Sequence, residues 1–338
     1  MASLAEIKAE IRHGLTTGVL EFFIPPLPLK EVELASIEAG WRLDKRGKYA
    51  EAANVFYTIF QKEETPELKT EAGISLSQML INLGKFGQAR KILEQVSWVT
   101  PEVKPENRRF YWQARIEEKT AWIVDYEGDF REEIKRLEEA RRLAGEIPEE
   151  ERTREMEDLL STTVHFLGRA HLGLALQGIK PKENAGKAVS YFNTDLERYQ
   201  ELRRKGETRP EGEGFQHAWL ARCYLVLDDE QQAEKEVNLA GELFAEYTRE
   251  HPETGVLAHF NLLKGRLAAK RGQVENARFH FEKALEIRTE VEPYPKGAAE
   301  AMVGIAWTYF AEGKYGAAMH YGFQAIKTYS YFLLRGFF

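Results

Sequence analysis

The chain alternates between helical hydrophobic patterns and short turns that reuse the same few residue types. Each turn combines a glycine, a polar residue and usually an aromatic residue, and a small residue follows soon afterwards. The copies are Gly47-Lys-Tyr49 with Ala52, Gly84-Lys-Phe86 with Ala89, Gly128-Asp-Phe130, Gly272-Gln-Val274 with Ala277, Gly313-Lys-Tyr315 with Ala318, and a degenerate copy, Asp228-Asp-Glu with Ala233. Glycine accepts the left-handed conformation that ends one helix, and the aromatic residue opens the next. The pattern therefore predicts turns between antiparallel helix pairs.

Small and bulky residues recur at fixed distances from these turns. Before each turn stands a small residue, namely Gly40, Ser77, Ala121, Ala221, Gly265 and Ala306. After the turn come small and bulky residues in the order Ala52, Phe56, Ile59, then Ala89, Leu93, Val96, then Ala277, Phe281, Ala284. Small residues let two helices approach closely, and the bulky stripe holds them together. Two copies depart from the pattern, because Glu133 occupies a small position and residues 178–186 lengthen the turn before Ala188.

This pattern resembles the tetratricopeptide repeat, in which a small residue of the first helix pairs with an alanine and an aromatic residue of the second. The resemblance implies an all-α fold, a right-handed superhelical solenoid of about seven antiparallel helix pairs. We expect residues 31–338 to form one continuous solenoid that ends in an apolar helix, and residues 1–30 to form an N-terminal helix with a Pro-rich capping arm. Intervals between turns, such as Gly84 to Gly128, exceed the standard repeat of about 34 residues. That irregular style is similar to the bacterial Rap and RRNPP regulators and to the sensor arrays of large signal-transduction ATPases.

Composition narrows the class of protein. The 338 residues are 43% hydrophobic and carry a net charge of -7, a sign that disfavours general nucleic-acid binding. A single cysteine excludes a disulfide framework and a cysteine-rich zinc site. No apolar run approaches the roughly 20 residues that a bilayer crossing needs, and the N-terminus lacks the pattern of a secretory signal. The expected compartment is the cytoplasm.

Motifs for catalysis are missing from the chain. The sequence contains neither type of Gly-rich phosphate loop and no His-Glu-x-x-His. Its histidines are scattered, and the lone Cys223 lies in an apolar stripe, as expected of a buried structural thiol. We therefore predict a protein that is not an enzyme and has no cofactor or metal. An enzyme or enzyme-associated regulator hidden in a helical array remains as a weaker alternative, and so does a nucleic-acid binder that uses the arginines.

The tetratricopeptide resemblance also places a candidate groove, because the first helix of each pair lines the concave face. The residue after the small position then points inward, which selects Trp41, Gln78, Trp122, Arg169, Arg222, Arg266 and Trp307. With neighbours on the same faces, the predicted ligand-binding residues are Trp41, Asn82, Arg115, Trp122, Tyr126, His165, Arg169, Arg222, Asn261, Arg266, Lys270 and Trp307. Arginine forks suit carboxylates, and aromatic rings supply rigid apolar contact. The predicted partner is a protein or peptide with an acidic or carboxylate-bearing segment. In the competing interpretation, each arginine pairs with a glutamate of an adjacent helix and each tryptophan is ordinary core.

Two terminal segments allow further hypotheses. The apolar segment 22–29 contains three prolines and either caps the first helix pair or acts as a self-ligand of the groove. The apolar segment 329–338 either folds onto a neighbouring repeat, or contacts a second copy or another subunit, or continues in a longer protein. Its candidate interface residues are Tyr329, Phe332, Leu333, Phe337 and Phe338. The sequence leaves open a peptide sensor, an assembly scaffold or regulatory subunit that dimerises or docks a partner, and the sensor portion of a larger signalling protein.

Overall fold

A computed structural model describes residues 36–251, 255–291 and 295–337, without the side chains of 290–296 and 329–337. The N-terminal arm that the sequence predicts at residues 1–30 lies outside the described residues, and so does the interface residue Phe338. Within the described ranges the secondary structure is helical, and two short 3-10 turns cover Thr100–Glu102 and Glu149–Glu151. The α-helices are α1 (Ile37–Asp44), α2 (Tyr49–Lys62), α3 (Pro66–Asn82), α4 (Phe86–Val99), α5 (Glu106–Glu127), α6 (Phe130–Gly145), α7 (Arg154–Leu176), α8 (Pro181–Arg204), α9 (Pro210–Val226), α10 (Glu230–Thr248), α11 (Val256–Lys270), α12 (Val274–Val291), α13 (Pro295–Ala311) and α14 (Tyr315–Phe337). The predicted all-α helical solenoid is confirmed.

The turns have the backbone conformation that the repeated phrases predict. Gly47, between α1 and α2, has a φ of 69°, a left-handed value that glycine adopts without steric cost. At the degenerate copy Asp228 takes a φ of 64°, which aspartate tolerates better than most residues. The turn before Ala188 is shorter than the sequence suggests, because α8 already begins at Pro181.

Helices within a pair approach closely where the sequence places a small residue. A Cβ atom on Gly168 of α7 would lie 2.8 Å from the ring of Phe192 on α8. Gly265 meets Phe281 in the same way across α11 and α12, at 2.6 Å. These contacts leave no room for a methyl group. The aromatic residue of the second helix therefore requires a glycine at the facing position of the first helix.

The core follows the predicted stripe through the array. Most of the predicted small and bulky residues are buried, and Ile59, Ala306 and Ala318 are partly buried. Cys223 is fully buried, and burial raises the pKa of its thiol to about 12. The thiol is therefore protonated at neutral pH, as expected of a structural cysteine. Glu133, which replaces a small residue, is also fully buried.

Successive helices pack against each other, and additional contacts join helices of neighbouring pairs. The first helices of successive pairs, α3, α5, α7, α9, α11 and α13, each contact the next first helix. Together they form one face of the array, which is the face where the predicted ligand-binding residues lie. Helix α14 also contacts α4, so the last helix packs onto a repeat that is distant from it in sequence.

Candidate ligand-binding groove

Eight charged side chains line a cavity of about 600 Å³ on this face, called here the arginine pocket. It contains four of the residues predicted from sequence, Tyr126, His165, Arg169 and Arg222. Its charged lining consists of five arginines, Arg169, Arg198, Arg209, Arg222 and Arg288, and three carboxylates, Asp158, Asp195 and Glu300. The lining is thus richer in cationic than in anionic side chains, although the whole chain is acidic.

Trp219 holds two of these arginines together. The guanidinium carbon of Arg222 lies 4.6 Å from the centroid of the Trp219 ring, and that of Arg169 lies 5.3 Å from it. Trp219 also stacks on Phe192, with ring centroids 6.0 Å apart. Cation–π contacts orient guanidinium groups while leaving their N–H donors available. Trp219 therefore presents Arg169 and Arg222 to the cavity as a pair.

The three predicted arginines, Arg169, Arg222 and Arg266, differ in how closely a carboxylate contacts them. Arg169 donates to Asp125 at 3.1 Å, and Arg266 donates to Glu300 at 3.2 Å. The same Glu300 lies 4.0 Å from Arg222, so one carboxylate serves two guanidinium groups. The Nε atom of Arg222 is buried and has no hydrogen-bond partner among the described residues, and its side chain is only 15% exposed. The interpretation in which every arginine pairs with its own carboxylate thus describes Arg169 and Arg266 better than Arg222.

Burial, assisted by neighbouring arginines, shifts the pKa of three groups in the pocket. Burial lowers the pKa of Arg222 to about 10, and Arg266 and Arg169 act in the same direction. Burial also lowers the pKa of His165 and of His259 to about 3, assisted by Arg169 and by Arg288 respectively. Both imidazoles are neutral at pH 7 and serve as hydrogen-bonding groups. His259 accepts from Arg288 at 2.7 Å.

A second cavity, the apolar slot, adjoins the arginine pocket and also measures about 600 Å³. It contains the predicted residues Arg266, Lys270 and Trp307, and it shares Arg222 and Glu300 with the arginine pocket. Lys270 forms an ion pair with Asp228. The remaining side chains of the slot are mainly apolar, namely Leu176, Leu225, Val226, Ala269, Phe281 and Val303.

A third cavity, the N-terminal cavity, measures about 340 Å³ and contains the predicted Trp41 and Arg115. Trp41 packs edge-on against Phe56, with ring centroids 5.3 Å apart. Arg115 forms an ion pair with the buried Glu118 at 2.8 Å. Each of these two residues thus contacts the protein core as well as the cavity.

Lys119 in the wall of this cavity is expected to make stability depend on pH. Its amine is buried, lies 3.2 Å from Glu118 and sits 3.6 Å from the centroid of the Trp122 ring. Burial lowers the pKa of Lys119 to about 7, and Arg115 acts in the same direction. In the unfolded chain a lysine titrates near its usual pKa of about 10.4. Between about pH 7 and pH 10 the unfolded chain therefore binds more protons at Lys119 than the folded protein does. The free energy of unfolding rises with pH in this window.

Urea unfolding of the wild type and of Lys119→Met at several pH values measures this contribution. Relative to the variant, the wild type should gain about 1–2 kcal/mol between roughly pH 7 and pH 9. Parallel stability curves for the two proteins would contradict the lowered pKa.

Three further predicted residues lie outside these cavities. Trp122 packs against Phe166, with ring centroids 5.0 Å apart, and Asn82 accepts a hydrogen bond from Gln78 at 2.9 Å. Asn261 donates to the carbonyl of Leu257 on its own helix. Their hydrogen bonds and ring contacts are internal, so the structure does not group them with the arginines. Of the predicted interface residues, Tyr329, Phe332, Leu333 and Phe337 fall in α14, and their side chains are outside the described part of the structure.

Several residues of the arginine pocket escape sequence reasoning. Arg198 and Arg288 reach it from the second helices α8 and α12, and Arg209 comes from the turn before α9. The inward-facing rule considers first helices alone and therefore misses them. Trp219 carries a usable signal, because it stands one helical turn before Arg222 on the same face.

The described residues contain no group of three or more His, Cys, Asp or Glu side chains that could hold a metal ion. None of the helices described here combines the length and the apolar character needed to cross a membrane.

Known proteins share the architecture at low sequence identity. Residues 258–290, covering most of α11 and α12, match the family model of the tetratricopeptide repeat. The structure of RapI in its apo form superposes with a TM-score of 0.64 at 10% identity, covering 88% of this chain and 97% of that one. A Rap protein complexed with competence and sporulation factor gives 0.62 at 14% identity, with 90% and 78% covered. Aspartyl phosphate phosphatase F from Bacillus subtilis also gives 0.62 at 14% identity, with 99% and 77% covered. No curated protein sequence matches the chain.

The repeated turns, the close packing within helix pairs and these likenesses agree with one another. At such identities these structures show the fold of this chain and do not identify its ligand. The chain is therefore a helical repeat protein of the tetratricopeptide type.

Proposed function

We propose that this protein is a non-enzymatic tetratricopeptide adaptor or sensor whose groove captures an acidic or carboxylate-bearing segment of a peptide or protein. The observation that carries the proposal is the arginine pocket, where five arginines face three carboxylates around one cavity. The described residues that line this pocket come from helices of several successive repeats, as expected of a surface that binds an extended segment.

Arg222 is the residue of the pocket that most favours an anionic ligand. Its guanidinium is largely removed from water and shares Glu300 with Arg266. Burial and like charges disfavour its cationic form, so a ligand carboxylate would replace lost hydration and offset the repulsion. A carboxylate accepts two parallel hydrogen bonds from a guanidinium, a geometry that arginine provides and lysine does not.

The similar Rap structures support a binding role. One of them is complexed with competence and sporulation factor, so a protein of this fold holds a partner. Another is named an aspartyl phosphate phosphatase, and that activity is not part of the present proposal. Under the sensor hypothesis a ligand draws successive repeats together, because small rotations add along a solenoid. A scaffold would bind folded partners and keep its shape.

Binding of synthetic peptides to the full chain tests the proposed function. We expect saturable binding of a short Asp- and Glu-containing peptide, and no binding of the counterpart with Asn and Gln at the same positions. Because the contact is between charges, affinity should fall as salt rises. Fluorescence anisotropy measures the affinity, and solution scattering of the same samples reports any compaction. Equal affinity for the two peptides would overturn the proposal.

A second candidate function, a subunit that self-associates through the C-terminal helix, is favoured by an apolar stripe. Tyr315, Met319, Phe323 and Ile326 are exposed on α14 at positions that recur along one helix face. Large exposed apolar patches often mark interfaces. The stripe also runs toward the apolar segment that begins at Tyr329.

Light scattering on full-length protein tests this candidate. If the stripe joins two copies, Phe323→Asp should convert a dimer to a monomer, because a charge would be buried between apolar faces. Phe279→Asp, on the exposed side of α12, is the control and should leave the mass unchanged. A wild-type monomer at all concentrations would rule out the stripe as a dimer interface.

A further inference from the structure

The apolar slot suggests what else the ligand must carry besides a carboxylate. Its lining includes three large apolar side chains that are unusually exposed, Leu176 at 55%, Val303 at 58% and Trp307 at 42%. These residues come from α7 and α13, so the slot is formed where separate repeats face each other. Exposed apolar side chains that converge on a cavity gain free energy when a ligand covers them.

The slot and the arginine pocket meet at one pair of residues. Arg222 and Glu300 line both cavities. They also line a small space of about 20 Å³, which shares Trp219 with the arginine pocket and Arg266 with the apolar slot. A carboxylate held by Arg222 would therefore lie next to the mouth of the slot. The charged groups at this junction are Arg222, Arg266 and Glu300, and the carboxylate of Glu300 lies 4.0 Å from Arg222 and 3.2 Å from Arg266.

We infer that the apolar slot is a specificity pocket for a bulky apolar side chain that stands close in sequence to the carboxylate bound by Arg222. The occupant is thus part of the same anionic segment, which is amphiphilic rather than simply acidic. This inference rests on the proposed function, because it uses the arginine pocket as the anchor. At the shared wall two guanidinium groups, Arg222 and Arg266, share the single carboxylate of Glu300. An anionic segment would balance this excess positive charge, whereas an uncharged apolar segment would not.

A matched peptide set tests the inference on the full-length protein. Each peptide carries a central Asp-Glu pair, and one leucine or phenylalanine is moved through the neighbouring positions of an otherwise alanine and serine background. The reference peptide has alanine in place of the apolar residue. At the best position the apolar peptide should bind at least about tenfold more tightly than the reference, as expected for burial of one large apolar side chain.

Variants of the slot show whether this advantage arises there. Leu176→Ser/Val303→Ser replaces two exposed side chains without adding charge, so folding and the arginines should be preserved. We expect the tenfold advantage to disappear in this variant, while affinity for the reference peptide stays the same. Phe279→Ser is the control, because Phe279 is equally exposed but lies outside the slot, and it should keep the advantage.

The outcomes separate the inference from the proposed function. If the apolar and reference peptides bound equally well to the wild type, and Arg222→Gln weakened both, the inference would be wrong and the proposed function would stand. If no acidic peptide bound, both would be overturned. A change in oligomeric mass on mutating the slot would also overturn the inference, because the slot would then be a contact between copies.

Discussion

Replacing Arg222 with glutamate is expected to reduce affinity for an acidic peptide by at least about 30-fold, since truncating or reversing a largely buried charge partner typically costs about 2 kcal/mol or more. Arg222 lines both large cavities and stacks on Trp219. Its loss removes a guanidinium from the centre of the groove, and the new carboxylate would stand beside Glu300. Titration calorimetry with the wild type and the variant measures the difference.

Two further variants serve as controls for this prediction. Arg222→Gln removes the charge without adding a new one and should weaken binding substantially, while circular dichroism stays native. Arg131→Glu changes net charge by the same amount as Arg222→Glu, but at an exposed position on α6 without an ion pair among the described residues. It should leave affinity unchanged. Unchanged affinity in Arg222→Gln would show that the groove has been placed wrongly.

Replacing Phe192 with alanine is expected to lower the free energy of unfolding by about 3–5 kcal/mol, the usual cost of removing a fully buried aromatic side chain. Phe192 fills the space against Gly168 and stacks on Trp219. Its truncation leaves a cavity between α7 and α8, which their backbones cannot close completely. The midpoint of urea unfolding, followed by circular dichroism, reports the loss.

The same substitution connects the core to the groove. Because Trp219 orients Arg169 and Arg222, loss of its stacking partner should also weaken acidic-peptide binding in the population that stays folded. Phe279→Ala is the control, and its effect on stability should be within about 0.5 kcal/mol because Phe279 is exposed. Equal effects of the two substitutions would contradict the packing described for α7 and α8.

The acidic composition of the chain and its cationic pocket have complementary consequences. A net charge of -7 repels polyanions at long range. Our proposal accordingly gives the protein no role in nucleic-acid binding. Within the pocket, short distances and low exposure strengthen the interactions of individual charges, so these outweigh the effect of the net charge of the chain. Selection for a short acidic segment over a long polyanion is therefore expected.

Much of the fold could be predicted because its determinants are local. The φ values of Gly47 and Asp228 and the packing of Gly265 on Phe281 follow from residues within one helix pair, and Cys223 is buried against residues of the adjoining pair. In a repeat protein each unit contacts mainly its neighbours, so a short sequence pattern contains most of the information needed. The inward-facing rule likewise found Arg169, Arg222 and Arg266 on adjoining first helices.

The composition of the groove depended on residues that are distant in sequence. By itself the sequence determined the helix pairs, their turns, their small-to-aromatic contacts and the row of first-helix arginines. Only the tertiary structure decided that Glu300 is shared by Arg222 and Arg266, that Arg198 and Arg288 enter from second helices, and that Asn261 bonds within the protein. The physical reason is that helix periodicity specifies which face a residue occupies, whereas the partner of a charge depends on how successive repeats are rotated against each other.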